Sequence, residues 1–351
     1  MTQAEMTLME QAERAFERNS ALAKVEGAPL YENLSAHIAK DPFLLEIATH
    51  VRPTQSMPYL LFDSVHYLLL GGVQHELAAF YPSLTDKPLD ARDAFPVFRA
   101  FCVEHRDEMV ALIESHLNQT NEIGRIAAIL PVLGEVQRRG GKPLGIVEVG
   151  PSGGLLLCFD RYYIDYGRLS WGDPAASVHI ECELEDDRDP PIEAGVPEVR
   201  YRVGLDLDPL DLTDEAQARW MLSSMWPDHR DLALRQKAAI AELQKDPPCL
   251  VLGEALEIQP LLDEVPADLT LCVLESFVLH HVTPQERDEF DQILAAESRR
   301  RPVYFVSMRG DNMTSGNRRA AVHLHTWVDG GHTDERLVEG HSRGRTMRWV
   351  G

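Results

Sequence analysis

The sequence predicts an α/β protein, with a mainly parallel sheet that ends in antiparallel C-terminal strands and is preceded by an all-α N-terminal cap. Three observations carry the prediction. Up to Gly141, apolar residues recur at three- and four-residue spacing, and no alternating strand pattern of any length appears. The character changes at Gly140-Gly141-Lys142-Pro143, after which short β-rich runs alternate with helical ones, the pattern of βαβ units. The first of those runs, Ile146-Val147-Glu148-Val149, leads directly into a glycine-rich turn, Gly150-Pro151-Ser152-Gly153-Gly154, and then the apolar start of an expected helix.

Taken in order, the apolar spacing predicts helices over 7–23, 30–39, 42–51, 59–70, 95–115 and 123–138, several of them separated by Pro or Gly. Residues 144–149 form a run of buried-strand type. Strands are then expected at 178–184, 199–207, 250–252, 269–274 and 303–307, with helices over 213–224, 231–244 and 284–297. Runs at 322–328 and 345–350 suggest a terminal antiparallel pair, and 183–191, rich in charge and proline, a surface loop. The expected organisation is a helical cap at 1–141 and an α/β domain at 142–351 that carries an insertion at about 157–200.

The chain has 351 residues, with 34 basic and 56 acidic side chains, hence 34 − 56 = −22. Such an acidic body repels phosphate, so nucleic acid and anionic membrane are poor partners, and a small-molecule substrate is the better expectation. The five cysteines (102, 158, 182, 249 and 272) are scattered and never spaced as CxxC, so they read as reduced residues, with Cys158, Cys249 and Cys272 in apolar surroundings. The N-terminus has no basic segment followed by an apolar run, and no stretch approaches the roughly 20 apolar residues of a membrane helix. A cytoplasmic protein is expected.

Glu148, Gly150 and Gly154 have the spacing E-x-G-x-x-x-G at the end of a buried strand. Glycines there permit positive φ and close approach of a ligand to backbone. The dinucleotide fingerprint would need glycine at 150, 152 and 155, and only the first is glycine. The segment resembles the first motif of class I S-adenosylmethionine-dependent methyltransferases. Three later elements resemble that family in the right order: 203–210 around Asp206 and Asp208, 250–256 with Glu254, and 271–282 ending Leu279-His280-His281-Val282. The resemblance implies a Rossmann-like fold and S-adenosylmethionine as cofactor. Gly150, Ser152 and Gly154 would approach it, Glu148 would orient the loop or meet its amino-acid portion, Asp206 would take the ribose and Glu254 the adenine. The sequence departs from the pattern in the 55 residues between Gly150 and Asp206, where Rossmann-like sites have roughly 20.

Other residues have the chemistry of an acceptor site. Asn121, Glu122 and Arg125 open an amphipathic helix, where Glu122 and Arg125 share a face. Asp160, Arg161 and Tyr162 follow the glycine turn and suit a wall for a planar or cationic substrate. His280 and His281 stand where such enzymes often keep acceptor-pocket residues, and with Asn121 and Glu122 they are the candidate catalytic groups. His323 and His325 share one strand face with His332 beyond, but no carboxylate or cysteine falls at a diagnostic spacing, so no metal is expected. Gly150-x-Ser152-x-Gly154 also matches a nucleophile elbow, for which Asp263 or Asp268 and then His323 or His341 have the chain order of a hydrolase triad.

Nearly end to end, the chain is similar to an uncharacterised bacterial family, a domain of unknown function. The similarity rests on 67–70, 75–77, 80–82, 120–125, 148–155, 160–167, 206–213, Trp226-Pro227-Asp228 and Gly340-His341. That resemblance supplies a fold and no reaction. The leading expectation is methyl transfer to a small molecule; a non-catalytic or repurposed binding protein is the alternative, and a hydrolase using Ser152 the third.

Overall fold

Thr7 opens the first helix, α1 (Leu8–Val25). Its hydroxyl accepts from the Glu10 N–H at 3.2 Å while the Glu10 carboxylate accepts from the Thr7 N–H at 2.8 Å, so two end donors are satisfied reciprocally. α2 (Pro29–Ile38), α3 (Pro42–Ala48) and α4 (Met57–Leu70) each carry proline in the first turn, where no N–H is missed. The single helix expected over 95–115 is two, α5 (Ala94–Glu104) and α6 (Arg106–Ser115), because His105 leaves helical geometry at φ −107°, ψ 21°. Tyr31 stacks on Phe62 at 4.1 Å, and Phe16 and Phe98 each meet Phe62 edge-on at 6.0 Å.

The computed structural model describes residues 7–119, 122–311 and 318–351. The chain divides into two units, Met1–Thr120 with Asp214–Lys237, and Asn121–Thr213 with Ala238–Gly351. The division falls at Thr120, ahead of the expected boundary at Gly141, because α7 (Ile126–Gly140) belongs with the sheet. Every residue of α7 from Ile126 to Val136 is buried, and Gly141 at φ +69° ends it. The chain returns to the first unit for α8 (Glu215–Ser223), where the Trp220 indole donates to the Leu117 carbonyl at 3.0 Å. α9 (Arg230–Leu243) crosses the division at Lys237.

The second unit is built on β1 (Leu144–Val149), buried at all six positions. After the glycine turn comes a short 3-10 stretch, Leu156–Arg161, where an α-helix was expected. The insertion then supplies β2 (Tyr163–Asp165), β3 (Ser170–Trp171) and β4 (His179–Glu181), a small sheet in the order β3-β2-β4, followed by β5 (Glu183–Leu184). The run expected at 178–184 thus splits between two sheets. β6 (Val199–Asp206), β7 (Cys249–Leu252), β8 (Thr270–Ser276) and β9 (Val303–Gly310) complete a parallel set in the order β7-β6-β1-β8-β9. α10 (Gln259–Glu264) precedes β8, and α11 (Pro284–Glu297) follows it, opened by the Thr283–Glu286 capping box.

The large sheet continues antiparallel through β10 (Arg319–Val328), β11 (Gly331–His341) and β12 (Thr346–Trp349), and β5 pairs with β12 at the edge. The two terminal runs are therefore not partners: β11 lies between them. Gly331–Arg336 is polar and largely exposed, which hid it from apolar counting. The preceding Asp329-Gly330 turn, with φ +51° and +82°, is the hairpin signal that marks it. Val147, Val203, Leu271, Val273, Phe290 and Phe305 anchor the core on one face of the sheet. Of the cysteines, four are buried and Cys249, expected to be apolar-packed, is exposed. No helix among the described residues is long and apolar enough to cross a membrane.

Candidate functional site

Strand order reverses its direction between β1 and β8: β6 and β7 continue to one side, β9 to the other. Open parallel sheets bind ligands in the crevice outside the carboxyl ends of the strands at such a point. Here those ends are the Glu148–Gly154 turn after β1 and the Glu275–His281 segment after β8.

The turn is braced from below. The Ser152 N–H donates to Asp206 Oδ2 at 2.7 Å, and the Asp208 N–H to Asp206 Oδ1 at 2.9 Å. Ser152 itself has φ +54°, an uncommon value for a residue with a side chain. Gly150 has φ +71°, and a Cβ there would overlap the Val278 side chain. The close approach that Gly150 permits is thus to the segment following β8. Glycine at 154, φ +78°, faces Pro248 in the same way.

Glu148 projects from β1 with 1% of its surface exposed, and its Oε2 has no hydrogen-bond partner among the described residues. Burial, reinforced by the charge of Asp206 and opposed by that of Arg125, pushes its pKa up to about 8. The carboxyl is then largely protonated at neutral pH. Arg125 ends a short 3-10 turn, Ile123–Arg125, that Glu122 caps by accepting from the Gly124 N–H at 3.1 Å. The Arg125 Nη1 donates to the Ser276 carbonyl at 3.3 Å and hydroxyl at 3.2 Å, and its guanidinium lies 4.7 Å over the Phe277 ring. Its Nε is buried without a partner among the described residues. Burial lowers its pKa to about 10, with Glu122 opposing, so the group remains a cation. The turn between β11 and β12 closes over this place: at Gly344, φ +68°, a side chain would overlap the Gly124 carbonyl.

Glu275, Ser276 and Phe277 were not singled out from sequence. Glu275 is buried, and its Oε2 accepts from the N–H groups of Val278 at 2.9 Å and Leu279 at 3.4 Å, while Ser307 donates to Oε1. That clamp holds Phe277 at φ +61°, a strained value for an aromatic residue. A polar pair, Glu275-Ser276, ending an apolar strand was the available signal. His280 and His281 follow in the same segment, exposed and with rings 3.8 Å apart. Partial burial, then His281 and Arg125, lower the His280 pKa, so its imidazole is neutral at pH 7.

Of the other expected residues, Glu254 is exposed after β7, and its N–H is held by the Glu257 carboxylate at 2.8 Å. Asp160, Arg161 and Tyr162, expected as a substrate wall, are engaged in bracing. Asp160 pairs with Arg202 at 2.6 Å in the body of β6, Arg161 pairs with Asp246 at 2.6 Å, and the buried Tyr162 donates to the Leu155 carbonyl at 2.7 Å. The 3-10 stretch carries them away from the carboxyl end of the sheet. Asn121 lies outside the described residues. A hydrolase triad is not assembled by the expected residues. Asp268 precedes β8 at its amino end, whereas Ser152 follows the carboxyl end of the parallel β1, six residues or roughly 20 Å away. Asp263 pairs with Arg300 in the same amino-end region, and the His341 ring accepts from the Arg343 N–H at 3.1 Å. The expectation of no metal meets a different geometry: the carboxylate that spacing did not reveal is Asp334, across the hairpin from His323 and His325.

A family model described as "Uncharacterized protein conserved in bacteria (DUF2332)" matches residues 13–349. The chain belongs to that family. A search of curated proteins finds no match.

Proposed function

We propose that this member of the DUF2332 family binds S-adenosylmethionine in the crevice between the carboxyl ends of β1 and β8 and directs its methyl group to a small molecule. The observation that carries the reading is a pair of ionisable groups at the switch point, each with a buried atom that lacks a partner among the described residues: Oε2 of the buried Glu148 and Nε of the partly buried Arg125. Buried polar atoms without partners are rare, because each forfeits about 1–3 kcal/mol of hydrogen bonding. An amino-acid zwitterion offers both missing partners, an ammonium for Glu148 and a carboxylate for Arg125.

Further features support the nucleoside half. Asp206 ends β6, and each of its oxygens keeps a lone pair beyond the bond it accepts from Ser152 or Asp208, enough for ribose hydroxyls. Leu207 and Leu252, 66% and 71% exposed at the ends of the neighbouring β6 and β7, give an apolar surface for a purine beside Asp206, with Glu254 following. The parallel order β7-β6-β1-β8-β9 is of the Rossmann type. The cofactor supplies an activated methyl group; the protein's contribution is alignment of the acceptor. Neutral His280 is suited to take the acceptor's proton.

A binding protein without catalysis is the second reading. It is favoured by the glycine turn, whose Gly150 and Gly154 are approached by Val278 and Pro248 of the chain itself, and by the short 3-10 stretch in place of a long helix. Calorimetric titration with S-adenosylmethionine and S-adenosylhomocysteine tests the site. Micromolar binding that Gly150→Arg and Asp206→Ala abolish in folded protein is expected, and absence of binding to the natural chain overturns the proposal. Acceptor-dependent consumption of the methyl group then separates enzyme from binding protein.

A further inference from the structure

A second cluster of ligand-type side chains lies on the other arm of the sheet, where α11 packs on β9 and β10. β10 presents His323 and His325 on one face, and β11 places Asp334 directly across from His325. His323 Nδ1 is 2.7 Å from Asp334 Oδ1, His325 Nε2 is 3.9 Å from the same oxygen, and one donor atom from each of the three residues lies within 4.8 Å of the other two. His325 is only 5% exposed, and its ring stacks with Phe305 at 5.4 Å and with Trp327 at 5.8 Å. Its Nε2 faces the cluster with no hydrogen-bond partner among the described residues.

We propose that His323, His325 and Asp334 form a binding site for a divalent first-row transition metal ion of the zinc type. Two imidazoles and a carboxylate are the donors that such ions take, at metal–ligand distances of about 2.0–2.2 Å. Those bond lengths require ligand atoms roughly 3–3.5 Å apart in a tetrahedral arrangement. The 2.7 and 3.9 Å separations bracket that range, so side-chain rotation closes the set without moving the strands. The second nitrogen of His325 is already occupied: Nδ1 lies 3.1 Å from His332 Nε2. An outer partner of that kind fixes the tautomer and ring plane of a metal-ligating histidine. The stacked rings hold His325 rigid, whereas Asp334, 38% exposed, leaves a side open for water or an exogenous ligand.

Arg309 is the competitor. Its Nη2 sits 2.9 Å from His323 Nδ1 and 3.3 Å from Asp334 Oδ2, so a guanidinium and a metal ion contend for the same carboxylate. Arg309 is 41% exposed and has room to withdraw into solvent. The rival reading is an ion-pair network of Arg309, Asp334 and His323 with no metal in it. The two differ in what they expect of Arg309→Gln: tighter metal binding in one case, no binding in either protein in the other. The site is independent of the cofactor reading and stands or falls without it.

The test uses the full chain, stripped with a chelator and titrated with Zn²⁺ against a chromophoric competitor, then with Co²⁺ by absorption. One equivalent should bind, and Co²⁺ should give visible ligand-field bands without the near-ultraviolet band of a thiolate ligand, which excludes the exposed Cys249. His323→Gln and Asp334→Asn, both at partly exposed positions, should each weaken Zn²⁺ binding by roughly tenfold or more with the circular dichroism unchanged. Zn²⁺ should raise the Tm of the natural chain and not that of Asp334→Asn. No stoichiometric binding by the natural chain, or binding that survives both substitutions, overturns the proposal.

Discussion

Glu148 and Glu297 are equally buried, at 1% and 2% exposure, yet their surroundings are opposite. Glu297 closes α11 just before the amino end of β9. Its carboxylate accepts from Arg301 Nε at 2.9 Å, Arg300 Nη1 at 3.1 Å and Gln259 Nε2 at 3.4 Å. Glu148, at the carboxyl end of β1, has an oxygen that accepts nothing from the described residues, and its pKa rises to about 8. The amino-end carboxylate is closed on partners of the chain, whereas Glu148 at the switch point keeps one oxygen without a partner among the described residues. Glu135 extends the lesson: buried and clasped by Arg138 and Arg139, its carboxyl is held below the usual range. Charge that serves stability is paired internally, whereas the protonated Glu148 is the group that the proposed ligand would engage.

The contrast breaks if the two carboxyls respond alike to substitution. Glu297→Ala should have the largest effect on stability, about 3 kcal/mol by denaturant unfolding, because it strips two guanidinium groups of a buried partner. Ligand binding should be unaffected. Gly150→Ala should cost about 2 kcal/mol, since it adds a side chain at φ +71° against Val278, and it should also weaken binding. Glu148→Gln should change stability by about 1 kcal/mol or less at neutral pH, because the native group is already mostly protonated there.

The same variant sharpens the comparison through pH. Glu148 keeps its proton to about pH 8 when folded and loses it near 4.5 when unfolded. Its favourable contribution is therefore complete below pH 4.5 and is lost as pH rises through 8. Thermal melting between pH 5 and 8 should fall more steeply for the natural chain than for Glu148→Gln. The smallest effect belongs to Glu254→Ala. That side chain is exposed, so stability should change by less than about 0.5 kcal/mol, and any loss should appear only as weaker nucleoside binding.

Much of this frame was legible in sequence. The strand–glycine-turn element at Glu148–Gly154 and the apolar runs of β1, β8 and β9 were readable because buried parallel strands read as continuous apolar segments, β6 was readable from its alternation, and Asp206 was marked through the family resemblance. Arg125 was legible as a helix-opening cation, but its approach to Ser276 and Phe277 arises from residues 151 positions apart, beyond any local pattern. Glu275 was hidden because its role depends on Ser307 of the adjacent strand. Asp160 and Arg161 looked like pocket residues since exposed ion pairs and pocket walls have the same composition. The Asp334 carboxylate escaped for a related reason: the strand that carries it is polar, and only the hairpin register brings it across from His325.

The most direct test of the central claim, that Glu148 is the protonated partner-seeking group of a ligand crevice, is proton release on binding. S-adenosylhomocysteine is titrated calorimetrically at pH 7 in buffers of different ionisation heat, into the natural chain and Glu148→Gln. With a pKa of about 8, the natural chain should release close to one proton as Glu148 ionises against the ligand's ammonium, and the variant should bind more weakly and release almost none. Equal proton release from the two proteins, or no binding to the natural chain, would contradict the account.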